Sequence, residues 1–181
     1  VDKAEPQRLV LGTGDGIYVS NNRGQNWRRI NGSTRSAIFS IERAPTKPEI
    51  WIAGSEGDGI YMSKDDAKSW QPVAPKIREA NVYSVACDPS SSDHLAAGGW
   101  EIGVWISRDG GRSWEPQNNG LPTTNITEVT FDSSGSGRLW ASTFEEGTYY
   151  SDDFGANWHL GGLYGAYVYN LGFVKWSNTG E

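Results

Sequence analysis

Carboxylate and aromatic side chains recur at one point of a repeating pattern in this chain, in short turns that follow strand-like apolar runs. These turns contain Asp15, Glu56, Asp58, Trp100, Glu101, Phe144, Glu145 and Glu146. A further aromatic residue, Tyr164, lies in a segment between repeats. Carboxylates beside aromatic rings suit a sugar that stacks on a ring, or a partner that carries positive charge. A simpler interpretation stays open, because acidic residues are common in polar hairpin turns where water solvates them.

Two carboxyl groups could also hydrolyse a glycosidic bond, provided that they lie roughly 5 to 9.5 Å apart and that one has a raised pKa. Turns on opposite repeats could supply such a pair, for example Asp15 with Glu101 or Asp58 with Glu145. The sequence selects neither pair. We therefore assign no catalytic residue.

Other reactive residue types fit structural roles better. The two histidines, His94 and His159, lack Cys, Asp or Glu at the spacing of metal ligands, so we predict no metal site and no cofactor. Cys87, the single cysteine, lies in an alternating strand pattern and is expected to be a buried thiol. The glycine-rich run at residues 12–16 looks like a phosphate loop, but a strand rather than a helix is predicted to follow it.

The elements that position these turns are marked by an eight-residue motif at residues 20–27, 63–70, 107–114 and 151–158. Each copy begins with Ser, has Asp or Asn at its third position and ends with Trp. We expect the following motif residues to fix the fold: Ser20, Asn22, Gly24, Trp27, Ser63, Asp65, Trp70, Ser107, Asp109, Gly111, Trp114, Ser151, Asp153, Gly155 and Trp158.

The residue types of the motif predict a hairpin turn that is followed by a large apolar side chain. The Asp or Asn side chain can accept hydrogen bonds from nearby backbone amides and set a turn. Gly at the fifth position permits a positive φ, and Trp opens the returning strand with a large apolar side chain. Ala67 occupies the glycine position of the second copy, which predicts either a turn that avoids positive φ or local strain.

The pattern S-x-D-x-G-x-x-W resembles the Asp-box, or BNR repeat, of sialidases, xyloglucan-active glycosidases, sortilin-type receptors and the propeller-shaped photosystem II assembly factor. The resemblance implies a β-propeller in which the Asp-box lies at the blade periphery in a structural role. The Arg-containing motif of sialidases is absent and their Tyr and Glu nucleophile pair cannot be placed, so the hydrolase activity does not carry over. The receptor and assembly-factor branches imply an interaction module outside the cytoplasm, in a periplasmic, lumenal or secreted location.

The spacing of the motifs predicts propeller blades. Copies begin at Ser20, Ser63, Ser107 and Ser151, which are 43, 44 and 44 residues apart. We predict an all-β protein in which residues 1–181 form a single domain of four four-stranded antiparallel blades, each of about 44 residues. Complete units are expected at residues 37–73, 81–117 and 125–160. Connections between second and third strands, and between blades, should emerge at one face, with the Asp-boxes at the other.

The chain ends predict how the ring closes. Residues 8–12 read as a second strand, with Val10 and Gly12 aligned to Trp51 and Ala53, and residues 167–174 read as an innermost strand. We expect the two segments to share the last blade and close a four-bladed ring. Two alternatives stay open: half of an eight-bladed dimer closed by the same exchange, or a piece of a larger propeller.

Charge and hydropathy argue against two classes of function. The net charge is -6 and the basic residues are scattered, so we expect no nucleic-acid partner. No apolar run is long enough to predict a membrane span.

The favoured hypothesis is a non-catalytic interaction or assembly module that binds a protein partner, or itself, through the acidic and aromatic turns. The alternative is a glycan-directed protein, either a lectin-like binder or a reduced glycosidase, with Trp100, Phe144 and Tyr164 as stacking platforms.

Overall fold

The computed structural model describes residues 7–30 and 32–173, which form four antiparallel sheets and one short 3-10 helix at Pro75–Ile77. The first sheet contains β1 (Leu9–Thr13), β2 (Gly16–Ser20) and β3 (Arg28–Arg29). The second contains β4 (Ile38–Arg43), β5 (Trp51–Ser55), β6 (Ile60–Ser63) and β7 (Gln71–Val73). The third contains β8 (Val82–Asp88), β9 (Ser91–Gly99), β10 (Gly103–Ser107) and β11 (Glu115–Pro116). The fourth contains β12 (Ile126–Phe131), β13 (Leu139–Thr143), β14 (Thr148–Ser151) and β15 (His159–Gly162).

Each sheet is one blade, and neighbouring blades pack in chain order through an apolar cluster. Ile17 and Val19 of the first blade share a cluster with Ala53 and Trp70 of the second. Similar clusters join the second blade to the third and the third to the fourth. The predicted all-β propeller architecture is therefore confirmed.

Glycines on the second strands let neighbouring blades approach closely. A Cβ at Gly54 would lie 2.5 Å from the carbonyl oxygen of Val82, and one at Gly98 would lie 2.6 Å from Cγ2 of Ile126. Neither distance can be reached without a shift of the neighbour, so a side chain at these positions would push the blades apart.

The structure corrects the alignment of the first blade by one residue. A Cβ at Gly12 would lie 2.5 Å from Cγ2 of Ile38, so Gly12 is the equivalent of Gly54 rather than of Ala53. The cause is the turn after β1, which has one residue fewer than its counterpart after β5. Leu11 therefore occupies the position that Ala53 holds in the second blade.

Inner strands are also joined by side chains that bond the backbone of the next blade. Ser40 Oγ accepts from Val85 N at 3.2 Å, and Ser84 Oγ accepts from Val129 N at 3.1 Å. Glu42 Oε2 accepts from Cys87 N at 3.0 Å. These bonds satisfy amides that would otherwise be buried between two blades without a partner.

Residues 167–173 continue this series beside the fourth blade. Glu128 accepts hydrogen bonds from the side chain of Asn170 and from the backbone amide of Leu171, and Thr127 Oγ1 donates to the carbonyl oxygen of Val168. The segment thus lies against β12 much as β12 lies against β8.

The predicted closure of the ring is not formed in the described part of the chain. β1 pairs with β2, the first blade has three strands, and residues 167–173 form no strand of that blade. The contacts with Thr127 and Glu128 hold the segment on the fourth blade instead. Residue 174 of the expected strand lies outside the described residues.

The four eight-residue motifs share one hydrogen-bond pattern. In the third copy, Ser107 Oγ donates to Asp109 Oδ1 at 2.9 Å and accepts from Gly111 N at 2.8 Å. Asp109 Oδ1 also accepts from Ser113 N at 2.9 Å. Bonds from Ser113 lower the pKa of Asp109 to about 2. The carboxylate therefore serves as the acceptor that holds the turn.

Ala67 adopts a positive φ of 58°, so the second copy keeps the turn at the cost of backbone strain. Its methyl group is buried in the cluster between the first and second blades. At the equivalent Gly111, a Cβ would lie 2.6 Å from Sδ of Met62 on the preceding blade.

The exchanges Gly111→Ala and Ala67→Gly should differ in the size of their effect on stability. Gly111→Ala should lower the free energy of unfolding by about 1–3 kcal/mol, because the methyl group overpacks against Met62 and adopts a positive φ. Ala67→Gly should change it by less than about 1 kcal/mol, because relief of strain offsets the lost apolar burial. Urea unfolding of both variants measures the difference. Equal losses in the two variants would show that the box glycine does not face the preceding blade.

Glu42 should make stability depend on pH. Burial raises its pKa from 4.5 to about 7, although the bond from the Cys87 amide lowers it in part. The folded protein holds a proton there that the unfolded chain has lost, so this contribution is complete below pH 4.5 and disappears as the pH rises through 7. Glu42→Gln should remove up to about 3 kcal/mol of that pH dependence. Denaturant unfolding between these pH values tests it, and parallel curves for wild type and variant would contradict it.

Candidate functional site: the aromatic and acidic loop face

The turns after the second strands meet the connections between blades at one end of the sheets, which we call the loop face. Trp100 N donates to Asn81 O at 3.2 Å, and Phe144 N donates to Asn125 O at 3.0 Å. The eight-residue motifs lie at the other end, where Gly110 N donates to Asp93 O at 3.0 Å. The arrangement agrees with the one expected for successive four-stranded meanders.

A cavity of about 410 Å³ opens on this side of the molecule, and we call it the aromatic pocket. Its walls come from the second, third and fourth blades and from the segment after β15. The lining residues are Phe39, Tyr83, Trp100, Thr127, Phe144 and Tyr169.

Edge-to-face contacts fix the rings of the pocket. Phe144 is the centre, with ring centroids 5.4 Å from Trp100, 4.8 Å from Tyr167 and 6.3 Å from Tyr169. Phe39 and Tyr83 form a second pair at 5.1 Å and 79°. Each such pair contributes about 0.5–1.5 kcal/mol beyond its buried area. Since Tyr169 is 68% exposed, the pocket is open to solvent.

Four of the lining residues were not identified from the sequence. Phe39, Tyr83, Thr127 and Tyr169 share one position, the second residue of each innermost strand or its equivalent. Side chains alternate along a strand, so this position faces away from the apolar residues on either side. The recurrence of an aromatic ring in three of the four copies is the signal that could have revealed them.

Two acidic residues follow lining residues of the pocket directly in sequence. Glu101 follows Trp100 and Glu145 follows Phe144, and both have a positive φ, 63° and 84°. In the second blade Gly57 adopts φ 64° in the corresponding turn. A left-handed conformation costs a non-glycine residue about 1–2 kcal/mol. Both glutamates therefore occupy positions at which glycine would cause less backbone strain.

The environments of these two carboxylates differ. Glu145 accepts a hydrogen bond from the hydroxyl of Tyr167, and this bond raises the pKa of the tyrosine. Glu101 donates its backbone amide to Asn125 Oδ1 at 3.0 Å, while its carboxylate bonds to no other described residue. Glu101 is exposed, so its charge is accessible to a partner.

The remaining predicted residues do not line the pocket. Asp58 accepts bonds from Thr34 Oγ1 and from the hydroxyl of Tyr61, the latter at 2.8 Å. Asp15 accepts from the hydroxyl of Tyr18 at 3.2 Å. Each carboxylate therefore bonds to a tyrosine of its own blade. Five further predicted residues also lie outside the lining set: Glu56, Glu101, Glu145, Glu146 and the exposed Tyr164.

Two carboxyl groups with a raised pKa lie between inner strands. Burial raises the pKa of Glu42 and of Glu128, and each accepts a backbone amide of the next inner strand. In both residues the raised pKa results from burial between neighbouring inner strands.

The described residues contain no cluster of three His, Cys, Asp or Glu that could hold a metal ion. His94 Nδ1 lies 3.1 Å from Asp88 Oδ2, and Asp88 Oδ1 also accepts from Ser90 Oγ at 2.7 Å. That group stabilises a hairpin turn at the far end from the pocket. Within residues 7–30 and 32–173, no helix is long and apolar enough to cross a membrane.

Known proteins share the repeat and the fold. The family model for the BNR/Asp-box repeat matches residues 105–116 and 149–160. No curated protein sequence matches the chain. An ancestral GH74 enzyme is 22% identical over 88% of this chain and 23% of its own, with a TM-score of 0.73. The GH74 xyloglucanase from Xanthomonas campestris is 21% identical over 88% of this chain and 29% of its own, with a TM-score of 0.66.

A YCF48 protein bound to a D1 peptide is 12% identical over 84% of this chain and 50% of its own, with a TM-score of 0.58. At these identities the likeness shows a β-propeller fold. The chain spans less than a third of the length of either GH74 enzyme.

Alanine substitution should distinguish loop-face carboxylates that stabilise the fold from those that make no stabilising contact. Asp58→Ala should lower the free energy of unfolding by about 1–3 kcal/mol, because it leaves the buried Thr34 hydroxyl without its acceptor. Glu101→Ala should change it by no more than about 0.5 kcal/mol, since the exposed carboxylate has no described partner. Urea unfolding of the two variants provides the measurement. A larger loss for Glu101→Ala would mean that its carboxylate supports the fold.

Proposed function

Because the chain is a β-propeller built from Asp-box repeats, we propose that it is a non-catalytic binding module that recognises a protein partner through the aromatic pocket. One observation carries the proposal. Rings from the second, third and fourth blades and from the segment after β15 converge on one solvent-accessible cavity. Isolated exposed aromatic residues need no explanation, whereas a shared aromatic cavity is typical of a binding site.

The shape and chemistry of the pocket suit a side chain of a peptide. A volume of about 410 Å³ accommodates a few side chains rather than a folded domain. Aromatic rings in such pockets supply most of the affinity of protein interfaces. The likeness to a propeller protein that is bound to a peptide supports a protein partner.

The charge of the site favours a basic segment. Glu101 and Glu145 directly follow lining residues of the pocket in sequence, and the chain carries a net charge of -6. A Lys or Arg side chain that enters would meet aromatic faces, which attract cations, and would find carboxylates at the rim. Long-range attraction would also speed the encounter and would weaken as salt screens it.

A displayed library of random linear peptides tests this function. The immobilised protein should enrich sequences with Lys or Arg beside an apolar residue. The enriched peptides, labelled with a fluorophore, should lose at least tenfold in affinity for Phe144→Ala and for the double variant Glu101→Lys, Glu145→Lys.

Glu49→Lys provides the matched control, because Glu49 is an exposed carboxylate at the opposite end of the sheets, where its carbonyl oxygen accepts from Asp66 N of the second motif. This variant should retain most of the affinity, and raising the salt concentration should weaken wild-type binding. Equal affinity of all four proteins, or enrichment of acidic peptides, would reject the pocket as the site.

A glycan is the second candidate ligand. It is favoured by the exposed rings of the pocket, on which a sugar could stack, and by the likeness to GH74 enzymes. A glycan array and a panel of fluorogenic glycosides test binding and hydrolysis separately. Signals on the array that disappear in Phe144→Ala would support a lectin-like role, and two blank panels would remove this candidate.

We place this module outside the cytoplasm as part of the same proposal. The receptor and assembly-factor propellers that share the Asp-box pattern support that location. Fractionation of cells that produce the protein provides the test, and recovery in the cytoplasmic fraction alone would contradict it.

A further inference from the structure

The side of the first blade that points away from the second blade presents an apolar surface to solvent, which we call the first-blade face. Leu11, Thr13, Tyr18 and Trp27 line a cavity of about 340 Å³ there. Leu11 is 46% exposed and Trp27 is 41% exposed. The exposure is unusual for positions that are interior elsewhere in the same molecule.

The equivalent positions of the other blades are buried. Ala53, Ala97 and Ala141 occupy the place of Leu11, and all three are inaccessible to solvent. The Trp residues that end the other motifs are 3 to 4% exposed, at Trp70, Trp114 and Trp158. In each case the preceding blade provides the cover, because these residues share a cluster with its strands.

The glycines at the fifth position of the eight-residue motifs lead independently to the same conclusion, that a preceding blade covers every blade except the first. A Cβ at Gly111 would meet Met62 of the preceding blade, and one at Gly155 would meet Ile106 of the preceding blade. At Gly24 the nearest atoms belong to Trp27 and Leu9 of its own blade. The first-blade face therefore has the layout of a blade interface, yet no described residue of another blade covers it.

The opposite end of the molecule has the complementary features. Residues 168–171 are held beside β12 as the innermost strand of a next blade, and no described strand pairs with them. The first blade has a second, a third and a fourth strand but no innermost strand among the described residues. Together the two ends supply the four strands of one blade.

Apolar residues also accompany that opposite end. Trp140 and Tyr150, with centroids 5.5 Å apart, occupy the places of Ala96 and Ile106, which pack against the following blade. The ring of His159 lies beside Tyr150 on the same face, with centroids 5.6 Å apart. The fourth blade thus offers aromatic surface at positions that the third blade buries against its neighbour.

We propose that two copies of the chain associate head to tail, so that residues 167–173 of each copy pair with β1 of the other. The fourth blade of each copy then covers the first-blade face of the other. Two such contacts related by a two-fold axis close an eight-bladed ring, which is within the size range of propellers. The exchange pairs the open edge of β1 and buries Leu11 and Trp27.

Solution mass and two interface variants test the proposal. The wild-type chain should have twice the 19.8 kDa mass of one copy in sedimentation and light scattering. Leu11→Glu and Tyr150→Glu each alter one side of the contact and should raise the dimer dissociation constant at least tenfold. Lys68→Glu provides the control, because Lys68 is an exposed residue in the motif of the second blade and lies on neither surface, and this variant should remain dimeric. Circular dichroism confirms that every variant is folded.

Mixing the variants distinguishes this arrangement from other dimers. A heterodimer of Leu11→Glu with Tyr150→Glu places both substitutions in one contact and leaves the other contact unaltered. The mixture should therefore recover dimer that neither variant forms alone. A wild-type monomer, an unchanged Leu11→Glu dimer or a mixture without recovery would each overturn the proposal. The peptide experiment does not depend on this result, because the aromatic pocket lies within one copy.

Discussion

The close approach of neighbouring sheets is the constraint on which the rest of this structure depends. Gly54 and Gly98 have no room for a Cβ, and the alanines on the same strands are fully buried. Because a blade of this length cannot bury its own apolar residues, stability comes from the contact between one blade and the next. The order of the blades then determines which loops become neighbours, and hence where the aromatic pocket forms.

Polar groups between the blades reinforce that order. Ser40 and Ser84 bond the backbone of the following inner strand, and Thr127 and Glu128 do the same for residues 168–171. The repetition of these contacts shows that the segment after β15 occupies the position of a further inner strand. Tyr169 enters the pocket for that reason, so the site depends on the same contacts as the fold.

The sequence predicted the fold well because the signals for it are local and repeated. The motif spacing gave the blade length, and the units expected at residues 37–73, 81–117 and 125–160 match the three four-stranded sheets, except that β15 extends to Gly162. The closure was harder, since a strand pattern at residues 167–174 does not specify which edge the segment joins. One residue fewer in the first turn also moved Leu11 into the position assigned to Gly12, and spacing alone does not reveal such a change.

The site was only partly predictable. Trp100 and Phe144 were identified because they interrupt acidic turns, and both line the pocket. Asp15 and Asp58 come from the same pattern but bond to tyrosines of their own blades, which depends on side-chain geometry. Phe39, Tyr83 and Tyr169 were used only as strand residues, although their shared position indicated a common direction.

The most direct test of this account is the network of contacts among the aromatic rings in solution. Nuclear Overhauser effects from the ring of Phe144 to Trp100, Tyr167 and Tyr169 can be measured with selectively labelled protein. The account predicts all three, because the centroids lie within 6.3 Å of one another in these pairs. Their absence in a folded protein would mean that the third and fourth blades and the segment after them do not converge, and that the pocket does not exist.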